Sequence, residues 1–512
     1  MSEDQREVVA YLRDPSSHGP GVDRVEVIET HASLVFIAGE RVFKLKRAVT
    51  YPYLDFSTVD LRRRACDAEL VLNRRTAPAL YEGVRGLFRG ADGAVSFAPK
   101  GEAVDWVVVM RRFDQALLFD ALAEVGRLDR HIMDQLADHI AQFHAFAEQR
   151  LDHGGAAEMA DLAEVQYRCL TAPSRAGFSP HRVESILKKW QERVAVLAEL
   201  LQRRRAAGKV RHCHGDLHLR NICLLEGKPT LFDCLEFDEA LASIDVLYDL
   251  AFLLMDLEHR GLRHFANRVF NRYLDRSDED DGLAAMSFFL SLRAAIRAHV
   301  TATALEHTPA AGADARMACD AQRYLDLAER FLQPEPCRLI AIGGLSGAGK
   351  STLAEGLAPE LGLRPGARVL RSDVTRKLLL GVDPEERLPG SAYTRESSAR
   401  VYDALCRKAA VGLGAGYTVV IDAVALAAEE RNSFAEVARA AVVPFSGLWL
   451  EARPEAMANR IRGRVRDASD ASPEILAEQL RQDQGKIDWV RIDAGGRPED
   501  CLAAARRAVA AG

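Results

Sequence analysis

Two domains of different class are expected in this chain of 512 residues. Residues 1–332 read as a two-lobed α+β domain, residues 333–336 as a linker, and residues 337–512 as an α/β domain with a parallel sheet flanked by helices. Three observations predict this division. A strand-rich stretch over 22–109 gives way to a mostly helical one over 114–332. Two prolines then interrupt the chain. Beyond them the pattern becomes strict strand–helix alternation. A single core would not serve a chain of this length.

The elements follow in order. Val25–Thr30, Ser33–Ala38 and Arg41–Lys46 alternate apolar and polar residues as consecutive strands do, with Ala38-Gly39-Glu40 as a turn. Asp60–Arg75 has helical spacing, with Leu61, Ala65, Ala68 and Leu72 as its apolar positions. Trp106–Met110 is a dense apolar strand. Long helices are expected at His131–Ala147, Pro180–Ala207, Ala240–His259, Asp281–His307 and Ala313–Leu332. A strand-rich break from His212 to Phe237 separates them. Gln333-Pro-Glu-Pro336 stops the last helix. Strands are then expected at 338–343, 367–371, 417–422, 445–450 and 489–493. The intervening helices fall at 350–361, 396–414, 428–440, 454–466, 473–484 and 498–510.

Composition narrows the function classes. A formal charge of −6 argues against general nucleic-acid binding. Runs such as Arg62-Arg63-Arg64 and Arg203-Arg204-Arg205 read as solvated helix faces. The N-terminus is acidic and polar, without the pattern of a signal peptide. The apolar stretch Val246–Met255 is short and holds Asp249, which excludes a membrane span there. Nine scattered cysteines form no CxxC pair. Cys213, Cys223 and Cys234 crowd near His212, His214 and His218, but at spacings that fit no zinc module. A reducing cytoplasm is the expected location.

The second half carries a complete phosphate-binding loop, Gly344-Leu-Ser346-Gly347-Ala348-Gly349-Lys350-Ser351, followed by Thr352. A strand enters it and a helix leaves it. In that context glycines let backbone N–H groups curl around phosphate oxygens, Lys350 reaches the outer phosphates, and Ser351 offers a hydroxyl to Mg²⁺. The strand Tyr417–Asp422 could end in a Walker-B-like Asp, which would give the metal a carboxylate beside the Ser351 hydroxyl. No Asn-Lys-x-Asp pattern for reading guanine is present. Asp373 and Arg376 follow the second strand, where an Asp orients an acceptor hydroxyl and an Arg holds substrate or phosphate. Arg460, Arg462, Arg464 and Arg466 recur at every second position, as in a lid whose Arg closes on the transferred phosphate. Arg464 is its best candidate.

The first half carries His212-Cys-His214-Gly-Asp216-Leu-His218-Leu-Arg-Asn221, then Leu231-Phe232-Asp233. Kinase-type phosphoryl transfer needs an Asp near the attacking hydroxyl, an Asn five residues on, and another Asp on the next hairpin. His214-Gly-Asp216-Leu-His218 resembles the wording of the aminoglycoside phosphotransferase and choline-kinase-like branch of the kinase superfamily, over roughly residues 25–310. The resemblance implies a two-lobed ATP-dependent kinase of small molecules. It makes Asp216 the base and Asn221 and Asp233 the Mg²⁺ ligands, with Asp245 and Asp249 supporting the loop. It also asks for a strand Lys paired with a helix Glu. Lys44 matches better than Lys46, and Glu69 better than Asp67. The strand ending at Met110 fits the hinge that holds adenine. Only Gly39 represents a Gly-rich loop. Glu236 stands where protein kinases carry the Phe-Gly region.

Residues 337–512 resemble the zeta-toxin, gluconate-kinase and polynucleotide-kinase-like P-loop kinases. There Asp373 would be the base and Arg464 the lid Arg. The tandem resembles a bacterial family of predicted bifunctional kinases. The function expected is phosphate transfer from ATP, with Mg²⁺, to small-molecule hydroxyl acceptors such as a sugar, nucleoside or aminoglycoside. A nucleotide-sensing half that regulates the other, and a toxin-like or protein-modifying kinase, stay open as alternatives. Acceptor identity and oligomeric state are not legible in the motifs.

Overall fold

The computed structural model describes residues 4–30, 32–51, 54–306, 313–463 and 468–511. The chain forms two compact units, one of residues 1–155 with 201–253 and one of 156–200 with 254–512.

The first unit begins with helix α1 (Arg6–Arg13) and strands β1 (Val25–Glu29), β2 (Ser33–Ala38) and β3 (Arg41–Lys46). Helix α2 (Val59–Asn73) precedes β4 (Tyr81–Arg89), β5 (Val95–Ser96) and β6 (Glu102–Arg111). These six strands form one antiparallel sheet in the order β1-β2-β3-β6-β4-β5. Strand alternation sends Phe43 and Leu45 of β3 into the core under α1. Val42 lies with the cluster on the other face, beside Cys66 of α2, and Lys44 and Lys46 share its side of the strand by the same alternation. Helix α3 (Arg130–Phe146) and the start of α4 (Val246–His259) support a second region. In it β7 (Val210–His212) pairs with β10 (Ser243–Asp245), and β8 (Ile222–Leu225) pairs with β9 (Lys228–Leu231). The single helix expected over Ala240–His259 is therefore interrupted. Asp245 accepts a hydrogen bond from Leu247 N–H at 2.8 Å and marks the turn from strand into α4.

The second unit is a five-stranded parallel sheet with helices. Its strands are β11 (Leu339–Gly343), β12 (Arg368–Arg371), β13 (Val419–Asp422), β14 (Phe445–Glu451) and β15 (Val490–Asp493), in the order β12-β13-β11-β14-β15. Each strand lies within two residues of its expected limits. Connecting helices cover the faces, as parallel sheets require. The same unit contains α5 (Arg263–Ser277) and α6 (Leu283–Glu306). Asp280–Glu306 is the one segment among the described residues with the length and hydropathy of a membrane span, and 72% of its apolar window is buried. It is a core helix of this unit.

Edge strand β12 is held by α5. Asn271 accepts from Val369 N–H at 2.7 Å, and Asn267 donates to Ala367 O at 3.0 Å. The Arg368 guanidinium is 1% exposed. It meets Asp275 at 2.7 Å and Asp280 at 2.7 Å. Two carboxylates and one guanidinium out of water are stable only together. Arg368→Met should therefore lower the chemical-unfolding midpoint of the full chain, at a cost of about 3–5 kcal/mol, because Asp275 loses the guanidinium while Asp280 keeps Lys408 at 2.9 Å. Adding Asp275→Asn should restore part of that loss. A single variant as stable as the parent would show that the cluster is not a structural clamp.

Candidate functional site

In the first unit, α2 turns a polar face inward. Arg62, Ala65, Cys66, Glu69 and Asn73 are its buried residues, at helical spacing, rather than the apolar set Leu61, Ala65, Ala68 and Leu72. The reason is charge pairing. Arg62 donates to Asp105 at 2.8 Å. Glu69 lies between two lysines: Lys44 Nζ is 2.9 Å from its Oε1, and Lys46 Nζ contacts its Oε2. Lys44 also reaches Asp233 Oδ1 at 2.5 Å, and Lys46 also reaches Glu236. Asp67 points away and pairs with Arg63 at 3.8 Å in solvent. Lys46 is the last residue of β3 and is buried.

The loop after β7 is positioned by one carboxylate. Asp249 accepts the N–H groups of His214 and Gly215, each at 3.0 Å, and contacts His144 Nε2 at 3.1 Å. His144 and Asp249 belong to a buried group with Cys213, whose ligand atoms lie within 4.8 Å of one another, and the Cys213 thiol donates to Ile244 O at 3.4 Å. The group is scaffold for the loop. Asp245 is anchored by Arg204 at 2.7 and 2.9 Å. Asn221 Nδ2 donates to both the backbone O and Oδ2 of Asp216 at 2.9 Å, which leaves its Oδ1 as a donor oxygen. His218 lies 3.4 Å from the same carboxylate. Asp233 adopts φ 61°, and its N–H donates to the Tyr81 hydroxyl at 3.2 Å. The left-handed backbone is uncommon for a non-glycine residue and sits where chemistry is expected. Met110 pairs with both Val42 and Tyr81 inside the sheet.

Burial alone would raise the Glu69 carboxyl. Lys44 and Lys46 outweigh it and hold the group at about 2. Burial pushes Glu236 up instead, against the pull of Lys46. Two ammonium groups thus face three carboxyl groups, Glu69, Asp233 and Glu236. Asp216, Asn221 and Asp233 offer only oxygen donors, the chemistry that suits Mg²⁺.

In the second unit the loop between β11 and helix α7 (Lys350–Leu357) has the backbone a phosphate cradle needs. Gly347 has φ 82° and Gly349 φ 103°. A Cβ on Gly347 would meet Met457 O at 2.5 Å. Ser351 Oγ donates to Asp422 Oδ2 at 2.6 Å, and Lys350 Nζ donates to Leu345 O at 3.1 Å. A hydroxyl and a carboxylate side by side are again oxygen donors for Mg²⁺. Asp373 and Arg376 lie on helix α8 (Ser372–Leu379), an element the strand–helix pattern did not suggest. Burial pushes the Asp373 carboxyl up, while the Ser469 hydroxyl and Arg371 pull it down. Arg376 donates to Ala392 O and Ser397 Oγ at 3.1 Å and to Ser398 Oγ at 3.2 Å, and lies over the Tyr393 ring at 4.7 Å. Ser346, Gly347, Gly349, Lys350, Ser351, Thr352, Asp373, Arg376 and Asp422 all line one cavity of ≈ 520 Å³. Gly344 and Ala348 complete the loop, Ala348 being fully buried.

The row of arginines divides. Arg460 donates to Gly347 O at 3.4 Å, Ala348 O at 3.2 Å and Ala494 O at 2.7 Å, and so braces the loop. Arg462 turns to Asn459. Arg464 and Arg466 lie outside the described residues. Sequence reasoning passed over Asp470, Tyr393 and Gln479, which line the same cavity. No motif signals them.

Over 494 residues the chain is 32% identical to the uncharacterized protein Rv2004c of Mycobacterium tuberculosis, covering 93% of each. It belongs to the Rv2004c family. Mb2027c of Mycobacterium bovis matches this Rv2004c-family chain with the same figures. The phosphotransferase enzyme family model matches residues 105–289, and an AAA domain model matches residues 339–484. Both halves are therefore of kinase families, a kinase-like α+β fold followed by a P-loop α/β fold. Among solved structures, choline kinase from Cryptosporidium parvum is 11% identical, covers 64% of this chain and 95% of that one, and has TM-score 0.40. A sugar kinase from Janibacter sp. is 22% identical, covers 34% and 95%, and has TM-score 0.27.

The Glu69 pair has a pH signature. A carboxyl held below its ordinary value of 4.5 adds stability that is complete above 4.5 and is lost as pH falls through about 2. Glu69→Gln should cost about 3–5 kcal/mol at neutral pH, and the gap to wild type should close across that acid window. Denaturant titrations at stepped pH read this. A gap independent of pH would sink the assignment.

Proposed function

We propose that the chain is an ATP- and Mg²⁺-dependent phosphotransferase with two sites, each transferring phosphate to a hydroxyl of a small-molecule acceptor. One observation carries the reading. Five side chains from four segments, Lys44, Glu69, Asp216, Asn221 and Asp233, come together in the first unit as two bonded sets, Lys44 with Glu69 and Asp233, and Asp216 with Asn221, joined where Phe232 N–H donates to Asn221 O at 3.0 Å. The P-loop cavity supports a second site of the same class.

In the first site Asp216 accepts the proton of the acceptor hydroxyl. Asn221 keeps that carboxylate turned outward, and Asp249 fixes the loop that bears it. Asn221 Oδ1 and Asp233 would hold Mg²⁺, and Lys44, aligned by Glu69, would meet phosphate oxygens. Bound Mg·ATP supplies the phosphoryl group and the metal charge that offsets the phosphates. In the second site Lys350, Ser351, Asp422 and the loop N–H groups would hold the same ligand. Asp373 there accepts the acceptor proton, and its raised carboxyl suits that task. Arg376 would orient the acceptor. The acceptors are hydroxyl compounds of the sugar, nucleoside or aminoglycoside kind.

A panel of such compounds, incubated with ATP and the full chain and read by mass spectrometry, tests this. Asp216→Asn should lower transfer to the first site's acceptor by about 10²–10⁴-fold, the worth of a general base, and leave the other activity in place. Lys350→Ala should do the reverse. Transfer unaffected by either substitution would refute the two-site reading.

A further inference from the structure

The segment after the arginine row touches three parts of the P-loop cavity. The Ser469 hydroxyl donates to Asp373. Asp470 accepts from three donors: the Tyr393 hydroxyl at 2.6 Å, Leu388 N–H at 3.2 Å and Lys377 Nζ at 3.2 Å. Gln479, on helix α9 (Pro473–Arg481), places Oε1 2.9 Å from the Ser346 N–H of the phosphate loop. One stretch of eleven residues thus reaches the candidate base, the wall of the acceptor side and the nucleotide loop.

Asp470 holds the wall at several points. Its side chain is 7% exposed. Lys377 belongs to α8, the helix that bears Asp373 and Arg376. Lys377 also donates to Pro384 O at 3.1 Å. Tyr393 carries the Arg376 guanidinium on its ring. A carboxylate that binds an ammonium, a backbone N–H and a phenol at once fixes the distance between their segments, because charge-assisted bonds out of water are strong. Ser472 closes the turn by capping α9, its hydroxyl accepting from Ile475 N–H at 3.4 Å. The link between wall and phosphate loop is therefore short and braced at both ends.

We propose that Asp470 is a positioning residue of the P-loop site, which through Tyr393 makes residues 469–479 a strap that couples the nucleotide loop to the acceptor wall. This rests on the phosphotransferase reading of that site. Asp470 touches no reacting atom. It sets the place of Arg376 through Tyr393 and of Asp373 through Ser469. Movement at Gln479, where a phosphate would approach Ser346 N–H, is carried along the strap to the wall.

Asp470→Asn, Tyr393→Phe and the double variant of the full chain test this. Two readouts are needed. With an acceptor from the panel above, each single variant should raise the acceptor KM by about tenfold, and the double variant should be no worse than the poorer single. The Kd of a fluorescent methylanthraniloyl ATP should stay within about twofold, because the loop itself is intact. Hydrogen exchange needs no acceptor. In Asp470→Asn, peptides over 385–394 and over 469–479 should speed up together. Faster exchange confined to 385–394, additive losses in the double variant, or wild-type behaviour would each overturn the coupling. Lys350→Ala separates the two ideas. If it keeps analogue binding and turnover, the P-loop reading fails, while joint exchange in Asp470→Asn would still report the strap.

Discussion

A charge taken out of water must meet its opposite, and that constraint shapes both units of this chain. In the first unit it sets the orientation of α2. Lys44 and Lys46 stand two residues apart on one side of β3, and no apolar helix face could cover them. Glu69 answers both, and Arg62 with Asp105 fixes the rotation of the same helix about two turns earlier. The candidate phosphate-binding lysine is thereby aligned before any ligand arrives. In the second unit the same rule holds the sheet edge. Arg368 could not lie buried at the start of β12 without Asp275 and Asp280 from the helical segment. Four residues after Arg368 the strand has ended and α8 has begun, so the clamp lies one strand length from Ser372 and Asp373.

What the sequence reveals follows the same physics. The central strands of the parallel sheet, β11 and β13, are buried on both faces and bounded by turn residues, so their limits were legible. The phosphate loop was legible because glycines are needed for close approach. The loop of Asp216 and Asn221 was legible because its chemistry fixes the spacing. The inward face of α2 was not. Hydrophobic periodicity selected Leu61, Ala65, Ala68 and Leu72, whereas ion pairing buries Arg62 and Glu69 and hydrogen bonds to Glu69 O and from Cys234 N–H bury Asn73. Strand β4 escaped notice because Gly83, Gly86 and charged residues break its alternation, and its pairing with β6 carries register shifts. The pattern change at 333–336 marks where strand–helix alternation starts. Compact packing divides the chain at other places, because which helices pack together is a long-range property that local pattern does not contain.

The choice between Lys44 and Lys46 shows the limit of motif matching in one pair of residues. Spacing favours Lys44, and Lys44 does reach Asp233. Yet Lys46 is the more deeply buried, and it ties Glu236 to the same helix carboxylate. A motif compares one lysine with one position. It does not register that a second lysine two residues on keeps Glu69 ionised and fastens the loop that carries Asp233.

The two lysines proposed to meet phosphate start from different surroundings. Lys44 is already paired with two carboxylates, Glu69 and Asp233. A divalent cation at Asp233 would compete with the Lys44 ammonium for that carboxylate, and Lys44 would turn from it toward phosphate oxygen. The gain from binding is then a difference between two strong interactions. Lys350 donates to the Leu345 carbonyl and also acts on the Asp373 carboxyl, while the phosphate loop's Ser346 N–H donates to the neutral amide of Gln479. Exchanging Gln479 for phosphate at Ser346 N–H would replace a neutral hydrogen bond with a charge-assisted one, which is about twice as strong. The Ser346 N–H therefore gives up little when phosphate arrives, and the residues that would move with Gln479 are those of the strap and the wall it holds.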